Sequence, residues 1–266
     1  MTFPLSRAES PNLIWVPESA STNAELRERH AREPLPAGTV LATAKQPAGR
    51  GRLGRAWEFP EGTAIASSVL VSGRGLGELG IGWTPLLAGS ALARAMRPEL
   101  PDAEVRVKWP NDVMVDGKKV SGILCELLPD GSVIVGAGIN LFLRGEELPT
   151  GRATSLLVAG GAGDAPSAEP LRVEAGPGQA IADRILARYL AELSDLLGGQ
   201  RSAETLRGIV ADDSWTLGSE VRVLLPGGGE ERGRALRLAA DGSLVLERAD
   251  GSGLLTVAAG DVEHLR

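Results

Sequence analysis

One stretch near the middle of the chain constrains the fold more than any other. Residues 120–128 are nearly all apolar, which is typical of a central strand covered on both faces. Two further segments are amphipathic. Residues 85–96 carry apolar side chains on one face, and residues 179–197 repeat them every four positions, which predicts a helix in each case. The predicted fold is therefore α+β, a mixed sheet with flanking helices.

Further elements are predicted by local pattern. Thr22 followed by Glu25 is a capping-box pattern, which predicts the start of a helix over 24–32. Residues 1–11 are expected to be a loose tail, and the Gly- and Pro-rich residues 159–178 a surface connection. The remaining predictions are strands at 13–16, 39–44, 64–71, 104–108, 119–128 and 132–137, and a helix at 203–210.

The last fifty residues change character. Four short strand-like segments, 220–225, 233–239, 243–248 and 254–257, alternate with turns. Asp241-Gly242 and Asp250-Gly251 are hairpin turn signals. We therefore expect a small β-barrel appended to the main domain, with residues 1–212 forming the first domain and 213–266 the second.

Charge and residue usage exclude several classes of protein. The 28 basic and 34 acidic residues give a formal charge of −6, which disfavours broad binding to nucleic acid or anionic membranes. A single cysteine, Cys125, excludes an internal disulfide and a thiolate metal cage. We see neither a signal peptide nor an apolar run long enough to cross a membrane, so a soluble, cytoplasmic protein is expected.

The segment Gly49–Trp57 combines glycines and arginines without an acid. Gly49, Gly51 and Gly54 match the spacing of a dinucleotide-binding loop, but that loop must open a helix, and Pro60 follows instead. Two interpretations stay open. The segment is either a solvated flexible loop or an anion-binding loop, in which guanidinium groups hold carboxylate or phosphate oxygens.

Three more segments contain residues that could act in catalysis or in ligand binding. In Lys108-Trp109-Pro110-Asn111-Asp112 a lysine ends a strand, where it can present its ammonium to a pocket or lie on the surface. The runs Ser121–Glu126 and Gly136–Asn140 place glycines inside buried strands. Such glycines mark either close packing or the approach of a ligand.

Taken together and in this order, the segments resemble the biotin–protein ligases. The resemblance rests on Ser-Thr-Asn at 21–23, Gly-Arg-Gly-Arg-x-Gly-Arg-x-Trp at 49–57, Lys-Trp-Pro-Asn-Asp at 108–112, Gly-Ile-Leu-x-Glu at 122–126, Gly-x-Gly-Ile-Asn at 136–140, and the final Gly260–Arg266. It implies a class II synthetase-like catalytic domain and an SH3-like C-terminal barrel.

The resemblance also implies the reaction. The family uses ATP and Mg²⁺ to join biotin's carboxylate to the α-phosphate, then passes biotin from biotinyl-AMP to a lysine of a carboxylase's biotin carboxyl carrier domain. The implied partner is therefore that carrier domain, with no DNA and no membrane, and a homodimer stays open. A lipoate- or octanoate-type ligase and a non-catalytic biotin-binding module are the alternatives.

The implied site residues fall into three overlapping groups. Lys108 and Arg52 are the implied catalytic residues. Biotin would be held by Ser21, Thr22, Asn23, Gln46, Arg50, Gly51, Arg52, Lys108, Gly122, Gly136 and Gly138. ATP would be held by Arg50, Arg52, Arg55, Trp57, Lys108, Asn111, Asn140 and Arg266, with Trp57 stacking on adenine. Metal ligands cannot be named from the sequence.

The chain departs from the family pattern in a few places. The Ser-Thr-Asn run begins at Ser21, which leaves no room for the N-terminal DNA-binding domain of many bacterial relatives, so repressor function is not expected. Ala66 stands where an aromatic residue is frequent, which would widen the pocket. Pro47 precedes the arginine-rich loop and would stiffen its entry.

Overall fold

The computed structural model describes residues 3–161 and 170–265. Part of the predicted surface connection 159–178, and Arg266, therefore lie outside the described residues. The helices are α1 Pro4–Glu9, α2 Thr22–Arg32, α3 Thr84–Met96, α4 Gly176–Leu197 and α5 Ala203–Asp213. The strands are β1 Leu13–Trp15, β2 Val40–Thr43, β3 Ala64–Ser72, β4 Val105–Lys108, β5 Asp112–Val115, β6 Lys118–Leu127, β7 Ser132–Asn140, β8 Glu220–Leu224, β9 Glu230–Leu238, β10 Leu244–Arg248, β11 Leu254–Val257 and β12 Asp261–His264.

The first seven strands form one mixed sheet. Their order is β1-β2-β3-β7-β6-β5-β4, with β1 and β2 parallel and every other pair antiparallel. The apolar run at 120–128 forms most of β6, which is an inner strand as predicted. The prediction that both of its faces are covered is wrong, because Gly122 and Leu124 line an open cavity on one face. The α+β prediction is confirmed.

Helices cover the two faces of this sheet unequally. On one face, α3 and α4 pack over the large apolar core, and Tyr189 is fully buried there. On the other face, α2 covers a small separate cluster formed by Leu26, Leu41, Leu70, Leu128 and Ile134. No other helix of the described residues covers the rest of that second face, and the cavity described below opens there.

Two N-terminal predictions are wrong. Residues 4–9 form a helix instead of a loose tail, because the buried carboxylate of Asp183 accepts hydrogen bonds from the backbone of Leu5 and Ser6 at 3.0 and 2.8 Å. The cap of α2 is Ser21 and not Thr22. The Ser21 side chain accepts from the Ala24 backbone at 3.5 Å, and Thr22 is the first helical residue.

The C-terminal strands form a second sheet, in the order β11-β10-β9-β8-β12, and every pair is antiparallel. The turns at Gly242 and Gly251, both with positive φ, lie where they were predicted. The segment entering this sheet runs beside β4. There Ser214 forms a bridge with Val107, and the Trp109 backbone donates to Thr216 Oγ1 at 2.9 Å.

No helix in the described ranges is long and apolar enough to cross a bilayer.

Candidate active site

A single row of residues crosses the uncovered face of the large sheet. Strand pairing places Thr43 opposite Ala66, Ala66 opposite Gly138 and Gly138 opposite Gly122, and continues to Asp112 and Lys108. Three adjacent members, Ala66, Gly138 and Gly122, have no side chain beyond one methyl group. The row therefore forms a flat floor, which ends in a carboxylate and an ammonium.

A cavity of about 130 Å³ lies over this floor. It draws together thirteen of the predicted site residues, namely Ser21, Thr22, Asn23, Gln46, Arg50, Gly51, Arg52, Arg55, Trp57, Asn111, Gly122, Gly136 and Gly138. These residues come from five separated parts of the chain. Ala66, the departure from the family pattern, also lines the cavity and is 2% exposed.

Three predicted residues are not among those that line the cavity. Lys108 stands beyond Asp112 at the end of the row. The Asn140 side chain is buried and donates to the Thr154 backbone oxygen at 3.0 Å. Arg266 is outside the described residues.

Lys119 is a cavity residue that sequence reasoning missed. Its Nζ lies 2.6 Å from Asp112 Oδ1 and 5.4 Å from the ring centroid of Trp57. A methyl group added to Gly122 would come within 3.0 Å of the same Nζ. The ammonium therefore stands over the floor beside the arginine-rich loop, where Lys108 was expected to act.

One end of the cavity is a network of short polar side chains. Thr22 donates to Gln46 Oε1 from its backbone at 2.9 Å and from its hydroxyl at 3.2 Å. Ser68 Oγ lies 2.8 Å from Thr22 Oγ1. Such closely spaced donors and acceptors suit a compact polar group such as a cyclic urea.

Asn23 explains one of the glycines. Its Oδ1 accepts from Ser68 Oγ at 2.6 Å, and its Nδ2 donates to Glu126 Oε1 at 2.9 Å. A methyl group on Gly136 would lie 2.3 Å from Asn23 Oδ1. Gly136 is therefore required by the packing of Asn23, whose amide is held by protein groups.

The arginine-rich loop is a tight hairpin over the cavity. The Gly51 backbone donates to the Arg55 oxygen at 2.7 Å, and the tip has positive φ at Leu53 and Gly54. Arg52 Nη1 donates to Asn111 Oδ1 at 3.1 Å, and Arg55 pairs with Asp261 of β12. The C-terminal sheet thus contacts the loop directly.

The Trp57 indole lies on the cavity floor. A methyl group on Gly138 would fall 2.2 Å from its Nε1 and Cε2 atoms. The buried Nε1 has no hydrogen-bond partner among the described residues. The indole must move before a ligand can occupy the space above Gly138.

Burial shifts the pKa values of three groups around the site. The pKa of Lys108 is lowered, mainly by burial, and the Lys119 and Arg152 charges also lower it while Asp112 opposes them. Burial and the Lys108 charge lower the pKa of His264 to about 4. Burial raises the pKa of the Cys125 thiol, which leaves no thiolate nucleophile there.

The described residues do not form a metal site by themselves. No group of three His, Cys, Asp or Glu side chains stands together within 3–161 and 170–265. Asp112 and Asp261 line the cavity, but each is paired with a basic side chain. A Mg²⁺ ion here would need phosphate oxygens or water for most of its ligands.

Two family models match the chain. The biotin/lipoate A/B protein ligase family matches residues 15–141, and the biotin protein ligase C terminal domain matches residues 216–265. The first range contains the whole floor and the arginine-rich loop. The second contains the C-terminal sheet.

Similar proteins cover most of the chain. The biotin–[acetyl-CoA-carboxylase] ligase of Mycobacterium tuberculosis is 37% identical over 254 residues, which are 94% of this chain and 88% of that protein. The bifunctional ligase/repressor BirA of Bacillus subtilis is 34% identical over 160 residues, 56% of this chain and 47% of that protein. A structure of the biotin protein ligase from Aquifex aeolicus in complex with biotin and ATP superposes with a TM-score of 0.70 at 28% identity, covering 96% of this chain and 99% of that one.

Proposed function

The chain belongs to the biotin/lipoate A/B protein ligase family, as a biotin–protein ligase, and we propose that it joins biotin to ATP on the floor beside Lys119. The observation that carries this assignment is the position of the Lys119 ammonium, over the row of small residues and next to the arginine-rich loop. In the first reaction one anion attacks another, so the site must supply positive charge where they meet.

The cavity residues suit separate tasks in that step. The network around Thr22 and Gln46 suits the ureido ring of biotin, and the small residues at Gly122 and Gly138 leave space for the ring system and chain. Lys119, Arg50 and Arg52 would then surround the carboxylate and the α-phosphate. Their charges oppose the repulsion between the two anions as the new bond forms.

The second step needs less from the protein. Biotin passes from biotinyl-AMP to the amine of a lysine, and holding both groups together supplies much of the rate enhancement. No covalent enzyme intermediate is needed, in keeping with the inert, buried thiol of Cys125. We propose a biotin carboxyl carrier domain as the acceptor, which agrees with the name of the Mycobacterium tuberculosis relative.

Magnesium ion would accompany the triphosphate. When bound, it would offset phosphate charge, and its protein contacts would be limited to a carboxylate such as Asp112. We further propose that residues 1–212 form the catalytic domain and 213–266 the barrel domain, that the enzyme works in the cytoplasm, and that it binds neither DNA nor membranes.

The test is biotin-dependent exchange of pyrophosphate into ATP, followed by labelling of a carrier domain. We expect exchange with biotin and Mg²⁺ and none without biotin. Folded protein that gives no exchange would contradict the proposal. Lipoate and octanoate, offered in competition in the same assay, test the other ligase activity, and biotin binding without exchange would identify a binding module.

A further inference from the structure

Glu126 ends the Gly-Ile-Leu-x-Glu motif, and the reaction proposed above gives it no role. It lies on β6 and is not among the residues that line the cavity. One carboxylate oxygen accepts from Asn23 Nδ2 at 2.9 Å, and the other pairs with Arg27 at 2.5 Å. The carboxylate therefore joins helix α2, which begins at Thr22, to the large sheet.

The orientation of the Asn23 amide is fixed by its surroundings. Two acceptors face its nitrogen, the Glu126 carboxylate at 2.9 Å and the Leu124 backbone oxygen at 3.2 Å. A turned amide would place its oxygen against both, and neither of them can donate. The nitrogen thus uses its two protons on protein groups, and Asn23 Oδ1 faces Ser68 Oγ at 2.6 Å.

This amide determines where the neighbouring hydroxyl protons go. Because Asn23 Oδ1 can only accept, the single hydroxyl proton of Ser68 is donated to it. Ser68 Oγ can then accept from the Thr22 hydroxyl, which lies 2.8 Å away. A second acceptor for the Thr22 proton is Gln46 Oε1, at 3.2 Å. In either case the proton is used within the protein, and Thr22 Oγ1 presents only lone pairs to the cavity.

The side chains of Glu126, Asn23, Ser68 and Thr22 thus form a hydrogen-bond relay that leads from outside the cavity to its wall. Ser68 is fully buried, and Thr22 and Asn23 are 4% and 6% exposed. A buried polar group left without a partner is costly, so this order of donors and acceptors is strongly preferred to its reverse.

Resting on the function proposed above, we propose that Glu126 is a positioning residue for the choice of substrate. Acting through Asn23 and Ser68, its carboxylate holds the Thr22 hydroxyl as an acceptor. A ligand must then bring a hydrogen to Thr22, as the N–H of a cyclic urea does. The dithiolane ring of lipoate has no such hydrogen, so the relay favours biotin over lipoate.

Glu126→Met and Ser68→Ala each remove one member of the relay. Each should raise the KM for biotin in pyrophosphate exchange about tenfold and leave kcat and the KM for ATP within about twofold, because one hydrogen bond to biotin is weakened. Both changes act on the same hydroxyl, so the double variant should show about the same tenfold increase and not about a hundredfold one. Arg27→Met is the matched control, since it breaks the same ion pair and leaves Glu126 Oε1 on Asn23.

A KM for biotin that rises as much in Arg27→Met as in Glu126→Met would overturn the proposal, because the cause would then be the anchoring of α2 by the ion pair. Effects that multiply in the double variant would overturn it as well. If Glu126→Met does not fold, Ser68→Ala decides the question, since it removes a single buried oxygen. An unchanged KM for biotin in that variant would overturn the relay.

Calorimetric titration with biotin separates these outcomes from a failure of the proposed function. Wild-type protein that binds biotin without exchange contradicts the proposed function, whereas the Kd for biotin still reports on the relay and should rise about tenfold in Ser68→Ala. In the wild-type protein, a biotin analogue with oxygen in place of both ring N–H groups should bind at least about tenfold more weakly than biotin, because two oxygens would face each other. Equal affinity would overturn the assignment of Thr22 as an acceptor.

Discussion

Lys119 and Asp112 form an ion pair of 2.6 Å on the cavity floor, between strands β6 and β5. Asp112 keeps the ammonium over Gly122, its neighbour in the row. On either side of these two residues the row continues to Gly138 and to Lys108. The pair marks the boundary between the uncharged part of the floor and its charged end. Adenylate formation should therefore depend on Lys119 more than on any other lysine.

Replacing Lys119 with Gln should lower the rate of biotinyl-AMP formation by about 10²–10³-fold, because a charge at the reaction centre is lost. The adjacent Lys118→Gln is the control, since its side chain is exposed and points away from the cavity. Single-turnover formation of the adenylate measures the effect. Equal rates for the two variants would contradict the assignment of Lys119.

Gly138→Ala should displace the Trp57 indole, because the new methyl group would lie 2.2 Å from it. The arginine-rich loop would lose its anchor on the floor, and trypsin should then cleave after Arg50, Arg52 and Arg55 faster than in wild type. Gly145→Ala, where a methyl group meets open space, should leave the cleavage rate unchanged.

Asp183→Ala should lower the free energy of unfolding by about 2–3 kcal/mol, because buried donors of the N-terminal helix lose a charged acceptor. Besides the Leu5 backbone, Ser6 donates to this carboxylate twice, from its backbone at 2.8 Å and from its hydroxyl at 2.7 Å. Urea denaturation measures the change. The exposed Asp102→Ala should have no measurable effect, and a similar loss in both variants would show that α1 does not depend on Asp183.

His264 should make the free energy of unfolding fall at acidic pH. Its pKa is lowered from 6.5 to about 4 in the folded chain. Between these values the unfolded chain binds a proton that the folded chain does not, so stability is full above about pH 6.5 and falls as the pH drops toward 4. Denaturation of wild type and His264→Asn over pH 4–7 checks this. The wild type should lose more stability than the variant, and parallel curves would exclude the effect.

Local pattern predicted the elements that depend on few neighbours. The inner strand β6 and helix α4 follow from apolar runs and periodicity, and the turns at Gly242 and Gly251 from two-residue signals. Strand β5 was missed, because it has only four residues and begins two positions after a proline at position 110. Helix α1 was missed for a different reason, since its partner Asp183 is distant in sequence.

The position of the Lys119 side chain could not be predicted from the sequence. The chain has four lysines, and the family resemblance implied a catalytic role for Lys108. Simple alternation along β6 places Lys119 on the same face as Ser121, away from Gly122. The pairing of β5 with β6 shifts register between Val113 and Met114, and such an irregularity re-aims a side chain. The ammonium thereby reaches the cavity.

The sequence by itself determined the family, the α+β class, the arginine-rich loop and most of the residues that line the cavity, because these are properties of local runs and ordered motifs. Only the tertiary structure decided which residues share the floor, since strand register joins positions 43, 66, 138, 122, 112 and 108 into one row. It also decided that β12 approaches Arg55 of the arginine-rich loop. Those contacts join distant parts of the chain, and no local pattern encodes them.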